Sequence, residues 1–286
     1  MTQRPTTKED YIKRINIISE YINNHLDEDI DMMKLAEISC FSLWHFHRIT
    51  RAYFGEPLGT YITRTRLEKA AKQLRYSNIA INEIAYQVGY NVPSSFSKAF
   101  RALYGFSPND YRNNKDLIIM KQSRLNEKLN LKSPKILELN PKQVIYIKLT
   151  GNYGELDFGS AWQKLWQYVK EQKLFTKGME HIAIYYDDPK ITDPNKLRTD
   201  ICLAIHKKTE SKGEIGVKTI EGGRFAVFLY QGTYDKLDMV YDTIYSEWLP
   251  ESGYKLRNYQ CFEKYISNPA RVAPEKLKTE IYIAIE

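Results

Sequence analysis

The chain has 286 residues, enough for two compact domains, and its content of 43% hydrophobic and 27% charged residues is ordinary for a globular protein. Its cysteines (Cys40, Cys202 and Cys261) have neither disulfide nor metal-ligand spacing. No apolar run is long enough to span a membrane. We therefore expect a cytoplasmic protein without a metal or cofactor. The formal net charge of +7 is distributed unevenly along the chain. Residues 34–112 carry a net charge of +6, whereas residues 134–286 carry only +1. The sequence therefore indicates that only the first half is suited to bind phosphates.

The predicted elements differ between the two halves of the chain. Apolar residues from Tyr11 to Leu26 recur every three or four positions, and helical patterning continues to about Arg112. A polar, charged stretch follows. Six β-rich runs then alternate with two helical stretches, at about 160–172 and 237–248. The β-rich runs are 144–149, 182–186, 201–205, 225–230, 262–266 and 281–285. The sequence therefore predicts an all-α domain (1–113), a linker (114–133) and an α+β domain (134–286).

Both halves contain an internal repeat. Phe46, Gly55 and Tyr61 recur 50 positions later as Phe96, Gly105 and Tyr111. In the second half, residues 196–205 recur 80 positions later as residues 276–285. The first repeat predicts two helix-turn-helix units. The second predicts two pseudo-symmetric strand-helix-strand-strand units, which we expect to form a curved antiparallel sheet with helices on one face and a cleft on the other.

The second helix of each helix-turn-helix unit, at about 42–53 and 93–104, has an apolar stripe and a polar, cationic side. The predicted core stripes are Phe41, Phe46, Ile49 and Tyr53 in the first helix, and Phe96, Ala99, Phe100 and Leu103 in the second. The outward residues are Trp44, His45, His47, Arg48 and Arg51, and Ser94, Ser95, Ser97, Lys98 and Arg101. Such faces suit a major groove, because arginine and lysine reach guanine acceptors while serine and histidine contact bases or phosphates.

Residues 11–112 resemble the AraC/XylS family of transcription regulators. The resemblance rests on Ile84-Ala85, Gly89-Tyr90, residues 96–100 (FSKAF), residues 105–108 (GFSP) and Tyr111-Arg112. It implies double-stranded promoter DNA as partner, with RNA polymerase as a further contact. The base-reading positions that it implies are Trp44, His45, His47, Arg48, Ser94, Ser95, Ser97 and Lys98. Two residues depart from the family: Thr50, where an aromatic is usual, and Cys40, where glycine is common.

The most distinctive residue of the second half is Glu263. Period-two alternation places it on the same strand face as Tyr265, and its repeat mate is Ala183, while Tyr265 matches Tyr185. A carboxylate flanked by aromatic rings suits a cationic, aromatic ligand. The alternative is an exposed glutamate on an edge strand, paired with a nearby lysine.

Residues 141–286 resemble the GyrI-like small-molecule-binding domain, which also occurs in multidrug-sensing regulators. The resemblance rests on residues 185–189 (YYDDP), 248–254 (WLPESGY), 262–265 (FEKY) and 279–283 (TEIYI). It implies that Glu263 faces a cleft and pairs with lipophilic cations. Other candidate ligand-binding residues are Tyr265, Tyr146, Tyr185, Tyr230, Trp166 and Trp248, although the helical spacing of Trp162 and Trp166 is more typical of core residues.

These observations predict a ligand-responsive transcription regulator, an activator rather than an enzyme, acting as a monomer or a homodimer. Two alternatives stay open. Some GyrI-like relatives are hydrolases, and Glu263 with Tyr265 could act as base and proton donor, although no catalytic array or phosphate loop is recognisable. The chain could also be a DNA-binding protein that responds to no ligand.

Overall fold

The computed structural model describes residues 7–113, 129–257 and 259–286, which form two compact units. Residues 114–128 of the predicted linker lie outside the described residues. The end of that linker is part of the second unit, because Leu131 forms a β-bridge with Tyr230. None of the described helices has the length and apolarity that crossing a bilayer requires.

The first unit is all helical, as predicted. Its helices are α1 (Thr7–Asn24), α2 (Met32–Ile38), α3 (Leu43–Phe54), α4 (Leu58–Tyr76), α5 (Ile81–Gln87), α6 (Pro93–Tyr104) and α7 (Pro108–Asn113). The predicted second helices of the two helix-turn-helix units correspond to α3 and α6, within one residue at each end. Both end at a glycine in the left-handed conformation, Gly55 with φ 72° and Gly105 with φ 79°, which explains the recurrence of glycine in the repeat.

The predicted core stripes of these two helices are correct except at their C-terminal ends. Phe46, Phe96 and Phe100 are fully buried, whereas Tyr53 and Leu103 are each 45% exposed. Thr50 occupies the buried position that Phe100 fills in the second unit, and its hydroxyl donates to the Phe46 carbonyl at 2.7 Å. The buried stripe therefore ends one turn before the helix does.

The long helix α4 lies between the two helix-turn-helix units, and its Arg66 contacts residues on both sides. Its Nε donates to the Leu26 carbonyl at 2.9 Å, and its Nη2 donates to the Glu28 carbonyl, both in the connection that leads into α2. On its other side, the guanidinium lies against Gly89 in the turn of the second unit. One half-buried side chain thus contacts the connection that leads into the first unit and the turn of the second.

The second unit contains a single eight-stranded sheet. Its strands are β1 (Lys135–Leu139), β2 (Lys142–Thr150), β3 (His181–Tyr185), β4 (Arg198–Ala204), β5 (Gly216–Ile220), β6 (Gly223–Gln231), β7 (Phe262–Tyr265) and β8 (Lys278–Ala284). The strand order is β1-β6-β8-β7-β3-β4-β2-β5, and every adjacent pair is antiparallel. The six predicted strands are confirmed. The sequence analysis missed β1 and β5, which are short edge strands.

The two missed strands exchange partners between the repeats. Strand β1 leads into β2 through two residues but pairs with β6, while β5 leads into β6 through two residues but pairs with β2. The two connections therefore meet where the sheet edges converge. A Cβ on Gly222, in the second connection, would collide with the Leu139 carbonyl oxygen and with Pro141 in the first. The close approach of two backbones requires glycine at this position.

Helices cover one face of the sheet. They are α8 (Phe158–Glu171) in the first repeat, and α9 (Leu237–Thr243), a π-helical turn (Ile244–Trp248) and α10 (Leu249–Ser252) in the second. Glu263 lies on this helix face, where Tyr241 of α9 contacts it. The prediction of a cleft on the face opposite the helices is therefore wrong for the Glu263 site, because the side-chain alternation of β7 directs Glu263 towards the helices.

We predict that Cys40→Gly stabilises the protein by about 0.5–1 kcal/mol, because Cys40 adopts φ 52°, a left-handed conformation that costs a residue with a Cβ more than it costs glycine. Equilibrium unfolding in urea, followed by the helical circular dichroism signal, measures the change. The matched control is Gly89→Ala at the equivalent turn. There a Cβ would lie 2.5 Å from the Leu26 carbonyl oxygen, so we expect destabilisation. A loss of stability in Cys40→Gly would contradict the prediction.

Candidate functional site

The polar sides of α3 and α6 form the first candidate site. The structure leaves His45, His47, Arg48 and Arg51 exposed on α3. On α6 it leaves Ser94, Ser95, Lys98 and Arg101 exposed and Ser97 half-buried. Trp44 lies in the first turn of α3, and its side chain lies outside the description. Both helices bury phenylalanines at their centres, Phe46 on α3 and Phe96 with Phe100 on α6, and present cations and polar groups to solvent, which is the surface that a major-groove helix needs.

The second candidate site surrounds Glu263, which is only 2% exposed on the central strand β7. The Tyr241 hydroxyl donates to Oε1 at 3.1 Å, and the Tyr265 hydroxyl donates to Oε2 at 3.0 Å. The Tyr185 hydroxyl lies 2.9 Å from that of Tyr265. Among the described residues, no lysine, arginine or histidine lies within ion-pair distance of Glu263. This excludes the alternative of an exposed edge-strand glutamate paired with lysine.

The tyrosines of this site follow the internal repeat. Tyr153 packs edge-on against Tyr185 with ring centroids 4.9 Å apart, and its repeat mate Tyr234 packs edge-on against Tyr265 at 5.4 Å. Ala183 and Glu263, also repeat mates, are direct partners in the pairing of β3 with β7. The pseudo-twofold axis of the domain therefore passes between them. The aromatic groups are duplicated about this axis, and the carboxylate is not.

The structure brings only some of the predicted ligand-binding residues to Glu263. Tyr265 and Tyr185 belong to the site. Tyr146 does not: it pairs with Cys202, which pairs with Ile182, which pairs with Lys264, so it lies on the face opposite Glu263. The register of the sheet, which sequence alone does not show, decides this correction.

Three other predicted residues lie on the helix face but are engaged elsewhere. Tyr230 is 1% exposed, and its hydroxyl donates to the Thr233 carbonyl at 3.1 Å. Trp166 donates from Nε1 to Nε2 of His181 at 3.1 Å. Trp248 packs against Phe228, with ring centroids 5.0 Å apart. None of the three contacts Glu263 among the described hydrogen bonds and ring contacts.

Comparisons with known proteins agree with this division into two sites. Residues 132–286 match the GyrI-like small molecule binding domain, and residues 35–114 match a helix-turn-helix domain. AarP of Providencia stuartii, an HTH-type transcriptional activator, is 37% identical over 100 residues, which cover 34% of this chain and 74% of AarP. The regulatory protein SoxS of Salmonella typhimurium is 35% identical over 98 residues, 34% of this chain and 92% of SoxS.

The GyrI-like match spans more than half of the chain, and AarP and SoxS are matched over most of their own length. The chain is an AraC-family transcription regulator with a GyrI-like small-molecule binding domain. Among solved structures, the C-terminal domain of EcmrR matches with a TM-score of 0.45 and 19% identity, over 55% of this chain and 99% of that one.

Burial controls the ionisation of the regulator's ligand-domain site. It raises the pKa of Glu263 from 4.5 to about 7, and the hydrogen bonds from Tyr265 and Tyr241 oppose part of this rise. Burial and then the Glu263 charge raise the pKa values of Tyr185 and Tyr265 well above their usual range, as they do for Tyr241. The phenols therefore keep their protons and remain donors at neutral pH. No group of three or more described His, Cys, Asp or Glu residues could hold a metal ion.

The sequence analysis missed Tyr241, Tyr153 and Tyr234 as site residues. The repeat contained a signal for two of them, because the Gly-x-Tyr triplet at 151–153 recurs at 232–234. Tyr241 had no such signal. It reaches Glu263 from α9, an element distant from β7 in sequence, and only the packing of the helix on the sheet brings the two together.

We predict that Glu263→Gln becomes increasingly stable relative to the wild type as the pH rises from about 5 to about 8, by on the order of 2–3 kcal/mol in total. The folded-state pKa of Glu263 is raised, so the folded protein holds a proton that the unfolded chain releases at lower pH. The wild type therefore loses stability through this window and levels off above it, while glutamine does not titrate.

Urea unfolding at several pH values measures this difference. Glu138→Gln, which removes an exposed carboxylate from β1, should leave the pH profile of the wild type unchanged. Parallel profiles for Glu263→Gln and the wild type would show that Glu263 does not titrate in this range.

Proposed function

We propose that the second domain binds a lipophilic, aromatic cation at Glu263 and that this binding regulates how the first domain binds promoter DNA. One observation carries the proposal: a buried carboxylate surrounded by tyrosines has no cationic partner among the described residues. A ligand cation would supply the missing charge, and the tyrosine rings would supply stacking and cation–π contacts.

The ionisation of Glu263 favours a cation over a neutral ligand. With a pKa of about 7, the carboxyl group is protonated in part of the molecules at neutral pH. A bound cation stabilises the carboxylate and lowers that pKa, so binding the cation releases a proton. A neutral ligand offers no such gain. The arrangement thus discriminates by charge, and we expect cation affinity to increase with pH until Glu263 is fully ionised.

For the first domain we propose that α3 and α6 enter two successive major grooves. The residues proposed to contact DNA are Trp44, His45, His47, Arg48, Arg51, Ser94, Ser95, Ser97, Lys98 and Arg101. The exposed cations of both helices support this role, as does similarity to AarP, which is named a transcriptional activator. We propose activation of transcription on the same ground.

A ligand-binding test uses tetraphenylphosphonium as the cation. We expect Glu263→Gln to weaken its binding by about tenfold or more, because the variant keeps the size of the side chain and loses the charge. Tetraphenylborate, an anion of nearly the same size and shape, should not compete for the site. Isothermal titration calorimetry measures both affinities.

Glu138→Gln makes the same charge change at an exposed position and should bind tetraphenylphosphonium as the wild type does. If Glu263→Gln retains full affinity, the carboxylate is not the recognition element. Release of an altered product by the wild type would instead favour the hydrolase alternative, since a sensor leaves its ligand unchanged.

A DNA-binding test uses Arg48 and Lys98, one from each recognition helix. We expect Arg48→Ala or Lys98→Ala to weaken binding to a selected operator by about 1–3 kcal/mol if the side chain contacts a base, and to affect random DNA much less. Fluorescence anisotropy at fixed salt measures both affinities. Lys13 is an exposed cation on α1, outside both recognition helices, and Lys13→Ala serves as the matched control. Equal losses on operator and random DNA would assign the residue to phosphate contact only.

A further inference from the structure

The face of the sheet opposite Glu263 carries an arginine in an unusual setting. Arg257 lies between β6 and β7 in sequence, with its guanidinium carbon 4.9 Å from the ring centroid of Phe225 and 5.2 Å from that of Tyr259. Its Nη1 donates to the Gly222 carbonyl at 2.7 Å. Phe225 belongs to the hydrophobic cluster of the opposite face, together with Tyr146 and Phe262. Arg257 therefore lies on the other side of the sheet from the proposed cation site.

Nε and Nη2 of Arg257 have no hydrogen-bond acceptor in the part of the chain that the structure describes. Its Nε and Nη2 are both buried, and neither forms a hydrogen bond with any described residue. These two nitrogens share one edge of the planar guanidinium, the edge that holds a carboxylate through two parallel hydrogen bonds. Arg198 in the same domain uses this edge for Asp187, with Nε donating at 2.8 Å and Nη2 at 2.6 Å. Arg257 presents the same edge without its carboxylate.

The described residues supply no ion-pair partner for Arg257. Within the described residues, no carboxylate lies at ion-pair distance from Arg257. Lys218, by contrast, pairs with Asp200 and lies over the Tyr146 ring. Burial raises the pKa of Tyr259, and the charge of Glu221 raises it further, while the charges of Lys218 and Arg257 lower it. A half-buried cation without a counter-charge is unfavourable, and a bound anion would supply that counter-charge.

We propose that Arg257 anchors a second ligand site, on the face opposite Glu263, for a small organic carboxylate with an aromatic body. The carboxylate accepts from Nε and Nη2, as Asp187 does from Arg198. The aromatic body suits the surroundings, because Phe225 contacts Phe262 and Tyr282 with ring centroids 5.5 and 6.3 Å apart. The two faces of one sheet thus bind ligands of opposite charge, a cation at Glu263 and an anion at Arg257.

The competing explanation is that Arg257 is only structural, a clamp that holds the connection between β5 and β6 through the Gly222 carbonyl. The two explanations differ in what they predict for a free carboxylate. A clamp has no affinity for one. A binding site recognises it through the charge and through the edge formed by Nε and Nη2.

The test uses the full chain and benzoate as probe, with benzamide as a neutral compound of similar shape. We expect saturable benzoate binding by calorimetry, no binding of benzamide, and a benzoate-dependent shift of the Arg257 Nε–H resonance in nitrogen-proton spectra. Arg257→Lys keeps the charge but loses the paired donors, so benzoate affinity should fall by about tenfold or more. Arg224→Gln, at an exposed arginine on β6, should bind benzoate as the wild type does.

The resonance measurement on the wild type needs no variant, so a folding defect in Arg257→Lys would not prevent a decision. The proposal is overturned if the wild type shows no saturable benzoate binding, if the Arg257 resonance does not respond, or if a folded Arg257→Lys variant binds with unchanged affinity. Glu263→Gln should retain benzoate binding, because it alters the other face. The two ligand proposals can therefore fail independently.

Discussion

The burial of a single carboxylate at a pseudo-twofold axis is the constraint on which the ligand domain depends. Ala183 and Glu263 are repeat mates that face each other in the pairing of β3 with β7. Two glutamates at these positions would place like charges on directly opposed residues of an antiparallel pair, which is destabilising. The duplicated fold can therefore supply tyrosines from both repeats but a carboxylate from only one. An otherwise symmetric site thus acquires one charged group, which would give the proposed cation a single orientation.

The exchange of edge strands joins the two repeats into one sheet, and the two faces of that sheet differ in chemistry. Because β1 pairs with β6 and β5 pairs with β2, each repeat completes the sheet of the other. One face carries Glu263 beneath the helices, with tyrosine hydroxyls as its donors. The other carries Lys218, Arg257 and a cluster of aromatic rings. The sheet lies between the Glu263 carboxylate and these two cations, although all three belong to one domain.

In the DNA-binding domain the corresponding constraint is the rigid connection between two helix-turn-helix units. Arg66 satisfies carbonyls ahead of the first unit and packs against Gly89 of the second. A side chain at Gly89 would displace this guanidinium, so the glycine and the arginine depend on each other. The first unit has Cys40 at the equivalent turn, where the backbone is again left-handed. The two units thus share a backbone conformation although their residues differ.

The sequence by itself determined the two domain classes, both internal repeats, the positions of α3 and α6, the six principal strands and the asymmetry of the second repeat at Glu263. These follow from local periodicity and from residues that recur at a fixed offset. Only the tertiary structure decided which side chains surround Glu263. The sequence analysis placed Tyr146 at the wrong face, because the register of four strands determines on which face of the sheet it lies. It missed Tyr241, because this residue belongs to a separate helix that packs on the sheet. The edge strands, and the setting that leaves Nε and Nη2 of Arg257 without an acceptor among the described residues, likewise depend on contacts between distant residues, which local patterning does not encode.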